Sequence, residues 1–276
     1  MIIEFLGTGT SHGIPVVGCT CPVCKSWDTR DQRYRASLYI QGEAGGALVI
    51  DTGPEFRLQA IRAKIQHLDA IFLTHAHADH LHGLDDVRPL SCHSPLPVYG
   101  NCPTIHEMKE RFSYVFRETQ AGGGKPQLIP TIVAIDMEHH EGTYSQEVQH
   151  PIVVGSLSIT PLPVLHGRLP IMGWLIEEKA SRMAYLTDVS AIPQETMALL
   201  TGLDILIIGA LRKRPYPTHF SFDEALEVIR TVKPKKAFLT HLCHDFSHRA
   251  ICRYITKQGF SLDRVAPAYD GLRCKL

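Results

Sequence analysis

Thr74-His75-Ala76-His77-Ala78-Asp79-His80 sets four metal-binding side chains within six positions, directly behind the apolar segment Ala70 to Leu73. Burying so many imidazole and carboxylate groups without partners costs roughly 2 to 7 kcal/mol for each. A strand ending in such a loop reads as the floor of a metal site, because ligands of α/β sheets gather beyond the carboxyl ends of the strands. The run therefore decides both the fold class and the chemistry to look for.

Outward from it, strand-like and helix-like segments alternate along all 276 residues. Ile2 to Leu6, Ser37 to Ile40 and Ala47 to Ile50 read as strands, the last two joined as a hairpin through Gly42 to Gly46. Glu55 to Gln66 has helical spacing, and a short helix is expected around His80 to Asp86. Further strands are expected at Val98-Tyr99, Ile129 to Ile135, Ile152 to Pro161, Gly173 to Glu177, Arg182 to Leu186, Ile205 to Ile208 and Ala237 to Leu239. Helices are expected at Thr104 to Phe116, Pro193 to Leu200, Phe222 to Val232 and Ser247 to Lys257, and loops at Gln120 to Lys125 and Asp136 to His150. Repeated strand and helix order predicts a layered α/β domain spanning 1–276, with an insertion at about 18–35.

Lys plus Arg equals Asp plus Glu, 28 each, and no long run of like charge stands out. A nucleic-acid partner is disfavoured, a membrane is not expected, and a small phosphorylated substrate fits this balance; a homodimer is left open. No secretory signal pattern opens the sequence, and no apolar run reaches about 18 residues, so a cytoplasmic location is expected. In that reducing setting the eight cysteines stay thiols or bind metal. Cys92, Cys102, Cys243, Cys252 and Cys274 are scattered and read as small buried side chains.

Cys19, Cys21 and Cys24 crowd into six residues, a spacing suited to one tetrahedral zinc that needs a fourth ligand. His244, three residues after His241, is that candidate. His166, Asp188 and His241 each close an apolar run, as the His75 to His80 loop does. Seven such side chains, with Asp188 shared, match a dinuclear centre rather than a single ion.

On these residues the sequence resembles the metallo-β-lactamase superfamily, whose His-x-His-x-Asp-His signature stands here as His75, His77, Asp79 and His80. The resemblance implies a four-layer αββα sandwich, with one metal on His75, His77, His166 and Asp188 and the other on Asp79, His80, His241 and Asp188. Two divalent ions, zinc or manganese, are the implied cofactors, beside one structural zinc on Cys19, Cys21, Cys24 and His244. Metals about 3.5 to 4 Å apart can activate a bridging hydroxide and stabilise attacking and leaving oxygens, so hydrolysis is implied. The Cys-x-Cys-x-x-Cys knot of Cys19, Cys21 and Cys24, the turn Gly7 to Pro15 and Thr240 to His244 resemble the phosphodiesterases that open phosphoribosyl 1,2-cyclic phosphate in the bacterial carbon–phosphorus lyase pathway.

In phosphodiesterases of this superfamily a histidine in a loop comparable to Pro217 to Ser221 assists departure of the leaving alkoxide, which gives His219 that role. Asp79 and His219 are thus the expected catalytic residues, Asp79 also serving as a ligand. Arg212, Lys213 and Arg214 are read either as phosphate binders or as a solvated cluster. His12 is left without a role, as is His82, while His67, His93, His106, His139, His140, His150 and His248 are read as surface residues. Two alternatives stand beside the metal-dependent phosphodiesterase: a tRNA 3′-processing-type endoribonuclease, and a non-catalytic accessory or carrier protein similar to the one in pyrroloquinoline quinone biosynthesis.

Overall fold

Successive strand residues point to opposite faces of a sheet, and here both faces are apolar. In β1 (Ile2–Gly7) Ile3 and Phe5 face one way and Leu6 the other, and in β2 (Ser37–Gln41) Leu38 and Ile40 oppose Tyr39. A sheet apolar on both faces has to be covered on both. The computed structural model describes residues 1–118, 124–133 and 151–276 and meets that demand with four layers.

The first sheet continues through β3 (Ala47–Ile50), β4 (Ala70–Phe72), β5 (Leu96–Gly100) and β6 (Leu128–Ile132). The second holds β7 (Ile152–Val154), β8 (Leu157–His166), β9 (Leu169–Glu178), β10 (Ser181–Leu186), β11 (Ile205–Gly209), β12 (Lys236–Thr240) and β13 (Val265–Pro267). The chain then returns to the first sheet as β14 (Arg273–Lys275), giving the orders β14-β1-β2-β3-β4-β5-β6 and β13-β12-β11-β10-β9-β8-β7.

Ile3, Phe5, Leu48, Phe72, Trp174, Ile207 and Phe238 share the core between the sheets. Trp174 is fully buried with Phe72 edge-on at 4.9 Å, and cutting either to alanine would cost about 3 to 5 kcal/mol. Outside the first sheet pack α1 (Phe56–Ala63), α3 (Cys102–Arg111) and α4 (Ser113–Phe116), while α2 (Ala78–Leu81) carries the end of the histidine run. Outside the second pack α5 (Gln194–Leu199), α6 (Phe222–Val232) and α7 (His248–Lys257). This is the αββα sandwich that the resemblance implied.

Some boundaries differ from the sequence reading, each for a local reason. The strand expected over Ile152 to Pro161 is two strands, β7 and β8. Gly155 turns between them at a φ of +60°, and a Cβ there would lie 2.4 Å from the Gly45 carbonyl carbon. The helix expected from Thr104 starts at Cys102, because the Asn101 side chain accepts from Thr104 N at 3.0 Å and caps it. It also breaks at Phe112 before α4. A 3-10 turn, Thr29–Asp31, lies inside the insertion at about 18–35, and β13 and β14 had no counterpart in the sequence reading. Most of the two expected loops, Gln120 to Lys125 and Asp136 to His150, falls outside the described residues, as do His139, His140 and His150. Among the described residues no helix is long and apolar enough to cross a membrane.

β3, β4 and β5 run parallel, as do β10, β11 and β12. Their carboxyl ends open on the same side of the sandwich, and Met172 N donates to Thr74 O at 2.9 Å to tie the two sheets there.

Candidate metal centre

Every side chain proposed from the sequence as a ligand comes within reach of others. His75, His77 and His166 form one set whose ligand atoms lie within 4.8 Å of one another; Asp79, His80, Asp188 and His241 form a second. Asp188 belongs to a third set with His166 and His219, which puts it between the two others. All seven ligands except His77 are buried.

Hydrogen bonds fix which nitrogen faces inward for three of the rings, those of His75, His80 and His166. His80 Nδ1 donates to Asp51 Oδ2 at 2.7 Å and His166 Nδ1 to Thr218 O at 2.7 Å. Thr74 Oγ1 accepts from His75 Nδ1 at 3.0 Å and donates to Asp51 Oδ2 at 2.8 Å. With Nδ1 holding the proton, each Nε2 presents a lone pair to the cluster. His80 Nε2 lies 3.1 Å from both Asp79 Oδ2 and Asp188 Oδ2, and His241 Nε2 lies 3.1 Å from Asp188 Oδ1, yet neither nitrogen finds hydrogen-bond geometry. Ligands bonded at about 2.0 to 2.2 Å to one tetrahedral ion stand about 3.3 to 3.5 Å apart, so these spacings suit a cation.

Electrostatics say the same. Burial opposes their ionisation, yet the imidazoles of His80 and His241 hold the carboxyls of Asp79 and Asp188 below the usual range. Despite its own burial, His80 is raised well above 6.5 by Asp79, Asp188 and Asp51, while burial beside His80 lowers His75. Two buried carboxylates thus gather at the His80 ring, negative charge that a divalent cation would offset.

The local backbone is strained to achieve this. Asp51, Asp188 and His241 have φ of 62°, 54° and 55°, a left-handed region that costs a non-glycine residue about 1 to 3 kcal/mol. Gly53 packs so closely that a Cβ would lie 2.3 Å from Asp79 O. Thr52 N also donates to His80 O at 2.8 Å, so the Asp51 to Gly53 loop clasps the histidine run. Asp51, Thr74 and Thr218 were missed in the sequence reading. An Asp-Thr-Gly directly after a strand was the available signal for the first.

The cysteine knot assembles beside this cluster. His244 Nδ1 lies 3.4, 3.4 and 3.5 Å from the sulfurs of Cys19, Cys21 and Cys24. Zinc bonds of about 2.3 Å to sulfur and about 2.0 to 2.1 Å to nitrogen at tetrahedral angles place S and N about 3.6 Å apart, so this set fits zinc. The Cys24 N–H beside its sulfur brings Cys21 down to about 6, while burial pushes Cys24 up to about 11.

The turn Gly7 to Pro15 lies against the same loop: Leu242 N donates to Thr8 O at 2.9 Å and Thr10 N to Leu242 O at 3.2 Å. Beneath it Thr8 Oγ1 donates to Asp270 Oδ1 at 2.7 Å and Arg33 Nη1 donates to Thr8 Oγ1 at 2.7 Å. Burial pushes the Asp270 carboxyl up to about 6. His248, read as a surface residue, is instead buried beside Arg33, its N–H donating to Asp31 Oδ1 at 2.5 Å. The scattered cysteines are not fully buried either: Cys92 is exposed and the other four intermediate. His12 is exposed, as is His82.

His219 enters from the loop before α6, its Nδ1 3.7 Å from Asp188 Oδ1. Burial, with His241 alongside, lowers its imidazole to about 3. The cap of that helix is Ser221, whose Oγ accepts from Glu224 N at 3.4 Å. Of the three basic residues upstream, Lys213 lies over Tyr254 at 5.6 Å and Arg214 reaches Asp245 at 3.8 Å, whereas Arg212 lies over Tyr216 at 4.7 Å.

Comparison with known proteins agrees with this geometry. Residues 47–242 match the beta-lactamase superfamily domain. An octanoyltransferase of Porphyromonas gingivalis is 40% identical over 240 residues, 87% of this chain, and the chain spans 45% of that protein's length. Zn(2+)-bound PqqB from Methylobacterium extorquens shares the fold at 16% identity and a TM-score of 0.76 over 100% of both chains. A solved structure of a new diphosphatase from the PhnP family is 36% identical at a TM-score of 0.83, over 100% of this chain and 97% of that one. With the ligand sets in place and that likeness running over nearly all of both chains, this chain belongs to the beta-lactamase superfamily and, within it, to the PhnP family.

Proposed function

We propose that the protein is a metal-dependent phosphodiesterase acting on a small cyclic or ribosyl phosphate ester. The observation that carries the reading is the meeting of all seven ligands with His219 beside them. His75, His77, His166 and Asp188 would hold one divalent cation, and Asp79, His80, His241 and Asp188 the other. When bound, such ions supply an activated water and offset charge on the phosphoryl oxygens. Asp51, Thr74 and Thr218 keep the ligand rings turned inward. As the P–O bond to the sugar breaks, the leaving oxygen takes a proton from the His219 ring, a step worth about 10²- to 10⁴-fold. Burial lowers the pKa of that ring, and the negative charge of a phosphoryl group beside it favours the protonated form. Cys19, Cys21, Cys24 and His244 would hold a structural zinc that fastens the insertion at about 18–35 to the loop that carries His241.

Hydrolysis of a diphosphate is the second reading, favoured by the PhnP-family diphosphatase relative. Octanoyl transfer is not proposed, because the chain spans 45% of the octanoyltransferase and its ligand set suits hydrolysis. The endoribonuclease reading is disfavoured by the zero net charge, and the accessory-protein reading by retention of the whole ligand set. A turnover panel on metal-loaded protein tests the proposal, comparing ribose cyclic phosphates, bis-p-nitrophenyl phosphate, cyclic nucleotides, nucleoside diphosphates, precursor tRNA, lactams and thioesters. Preferred hydrolysis of a cyclic or ribosyl diester is expected. Preference for a lactam or thioester would reject the reading, and preference for a diphosphate would replace it with the second.

A further inference from the structure

A group that transfers a proton is normally oriented by a third residue hydrogen-bonded to it. Among the described residues His219 has no such partner: its nearest carboxylate oxygen, on Asp188, is 3.7 Å away. Packing holds the ring instead. The His166 ring meets it edge-on at 4.6 Å, and the His241 ring lies nearly parallel at 4.9 Å and 19°. The remaining aromatic neighbour is Tyr216, nearly parallel at 5.8 Å and 28°. Arg212, in turn, sets its guanidinium 4.7 Å from the Tyr216 ring centroid.

These groups form a continuous column running from His241 through His219 and Tyr216 to Arg212. The loop that carries it is fastened at its base, where Leu211 N donates to Phe220 O and Phe222 N to Arg212 O, both at 2.9 Å. His219 N donates to Tyr216 O at 3.4 Å, closing an isolated bridge between those two residues. Proline stands on each side of Tyr216, as Pro215 and Pro217. Pro215 fixes its own φ, and Pro217 keeps Tyr216 out of the helical region, so the backbone of Tyr216 is restricted while the residue is 44% exposed. Arg212 shows no carboxylate partner among the described residues, and its buried Nε meets no acceptor there, which leaves the aromatic face as its contact.

We infer that Tyr216 and Arg212 are positioning residues that hold His219 in register with the metal centre. The inference rests on the reading of His219 as the acid for the leaving group. Neither residue needs to touch substrate: Tyr216 backs the imidazole and Arg212 pins Tyr216. The tyrosine contributes its ring rather than its hydroxyl, since that hydroxyl makes no hydrogen bond among the described residues.

The test compares Tyr216→Ala, Tyr216→Phe and Arg212→Gln in metal-loaded protein on two diesters. Bis-p-nitrophenyl phosphate releases a phenolate that departs without a proton, while a ribose cyclic phosphate must release an alkoxide. A misplaced acid would lower kcat of Tyr216→Ala about 10- to 100-fold on the alkoxide substrate alone. KM, and both constants on the p-nitrophenyl ester, are expected to stay within about threefold. Tyr216→Phe should restore the rate, and Arg212→Gln should show a smaller loss with the same substrate selectivity. A crystal structure of Tyr216→Ala should show the His219 ring turned from its place or split between rotamers. Equal losses on both substrates, a loss confined to KM, or an unmoved His219 would overturn the inference. If the unaltered protein hydrolyses neither diester, the proposed function fails, while the position of the His219 ring in Tyr216→Ala still decides whether the column holds it.

Discussion

Asp51→Asn removes one negative charge and nothing else of comparable size. The carboxylate is completely buried and accepts three hydrogen bonds, from His80 Nδ1 at 2.7 Å and from Thr74 N and Thr74 Oγ1 at 2.8 Å each. Asparagine tolerates the left-handed backbone at this position, so the loop is expected to survive. Its amide offers one acceptor oxygen where the carboxylate offered two. Either the NH₂ faces the His80 Nδ1–H, which drives the proton to Nε2 and removes a lone pair from the cluster, or it faces Thr74 and the amide N–H there loses its acceptor. Changing the partner that orients a metal-bound histidine costs about 10- to 100-fold in metal affinity. At about 1.4 kcal/mol per factor of ten, that is about 1.4 to 2.8 kcal/mol. Competition against a chelator of known affinity measures it directly, with zinc and with manganese. The thermal midpoint of the metal-free variant should stay near that of the parent, because a buried carboxylate is itself costly and burial already raises the Asp51 carboxyl. Affinity unchanged within about twofold would refute the argument that this hydrogen bond sets the His80 tautomer.

Three further outcomes follow from particular contacts. Cys21→Ser should remove one zinc per chain by elemental analysis while leaving the ions of the histidine cluster, and retention of full zinc content would sink the knot assignment. Gly53→Ala forces a Cβ to within 2.3 Å of Asp79 O, so the metal content of the purified variant should collapse; a variant that loads normally would show that the loop yields. Asp270 carries a folded pKa raised from 3.8 to about 6, so its protonated form is favoured by folding. Its stabilising contribution is full below about pH 4 and is lost as pH rises to about 6, on the order of 2 to 3 kcal/mol across that window. Asp270→Asn lacks the titration, so the stability gap between parent and variant in urea unfolding should shift in favour of the variant between pH 4 and pH 6.5. An identical gap at both pH values would contradict this.

What the amino-acid sequence made legible was whatever is dense or periodic. Four ligands in six positions declare themselves, and α6 runs from Phe222 to Val232 as expected because a Ser221–Glu224 capping box marks its start and a clear apolar stripe its length. Short edge elements carry neither signal: β13 and β14 are three residues each, too short for a period of two to show. Long-range partners are hidden for a different reason. Asp51 reaches Thr74 and His80 only because β3 and β4 pair in parallel with Ile50 beside Phe72, which brings the two carboxyl ends together. His248 was misread because its neighbours in sequence are polar, whereas its neighbours in space are Arg33 and Asp31 from the other half of the chain.

The same distinction separates ligands from the groups that make them useful. A ligand is constrained in type, since only imidazole, carboxylate or thiolate serves, and so it can be read from residue identity and spacing. An orienting group is constrained in place: a carbonyl at Thr218, a hydroxyl at Thr74 and a ring at Tyr216 all serve here, and each is an ordinary residue until the fold brings it up to a histidine. The strained backbones at Asp51, Asp188 and His241 fit that view: unlike the left-handed Lys64 and Lys233, which end helices, all three carry a side chain into the cluster. Three such residues at one end of two sheets mark a centre whose precision lies in its supports.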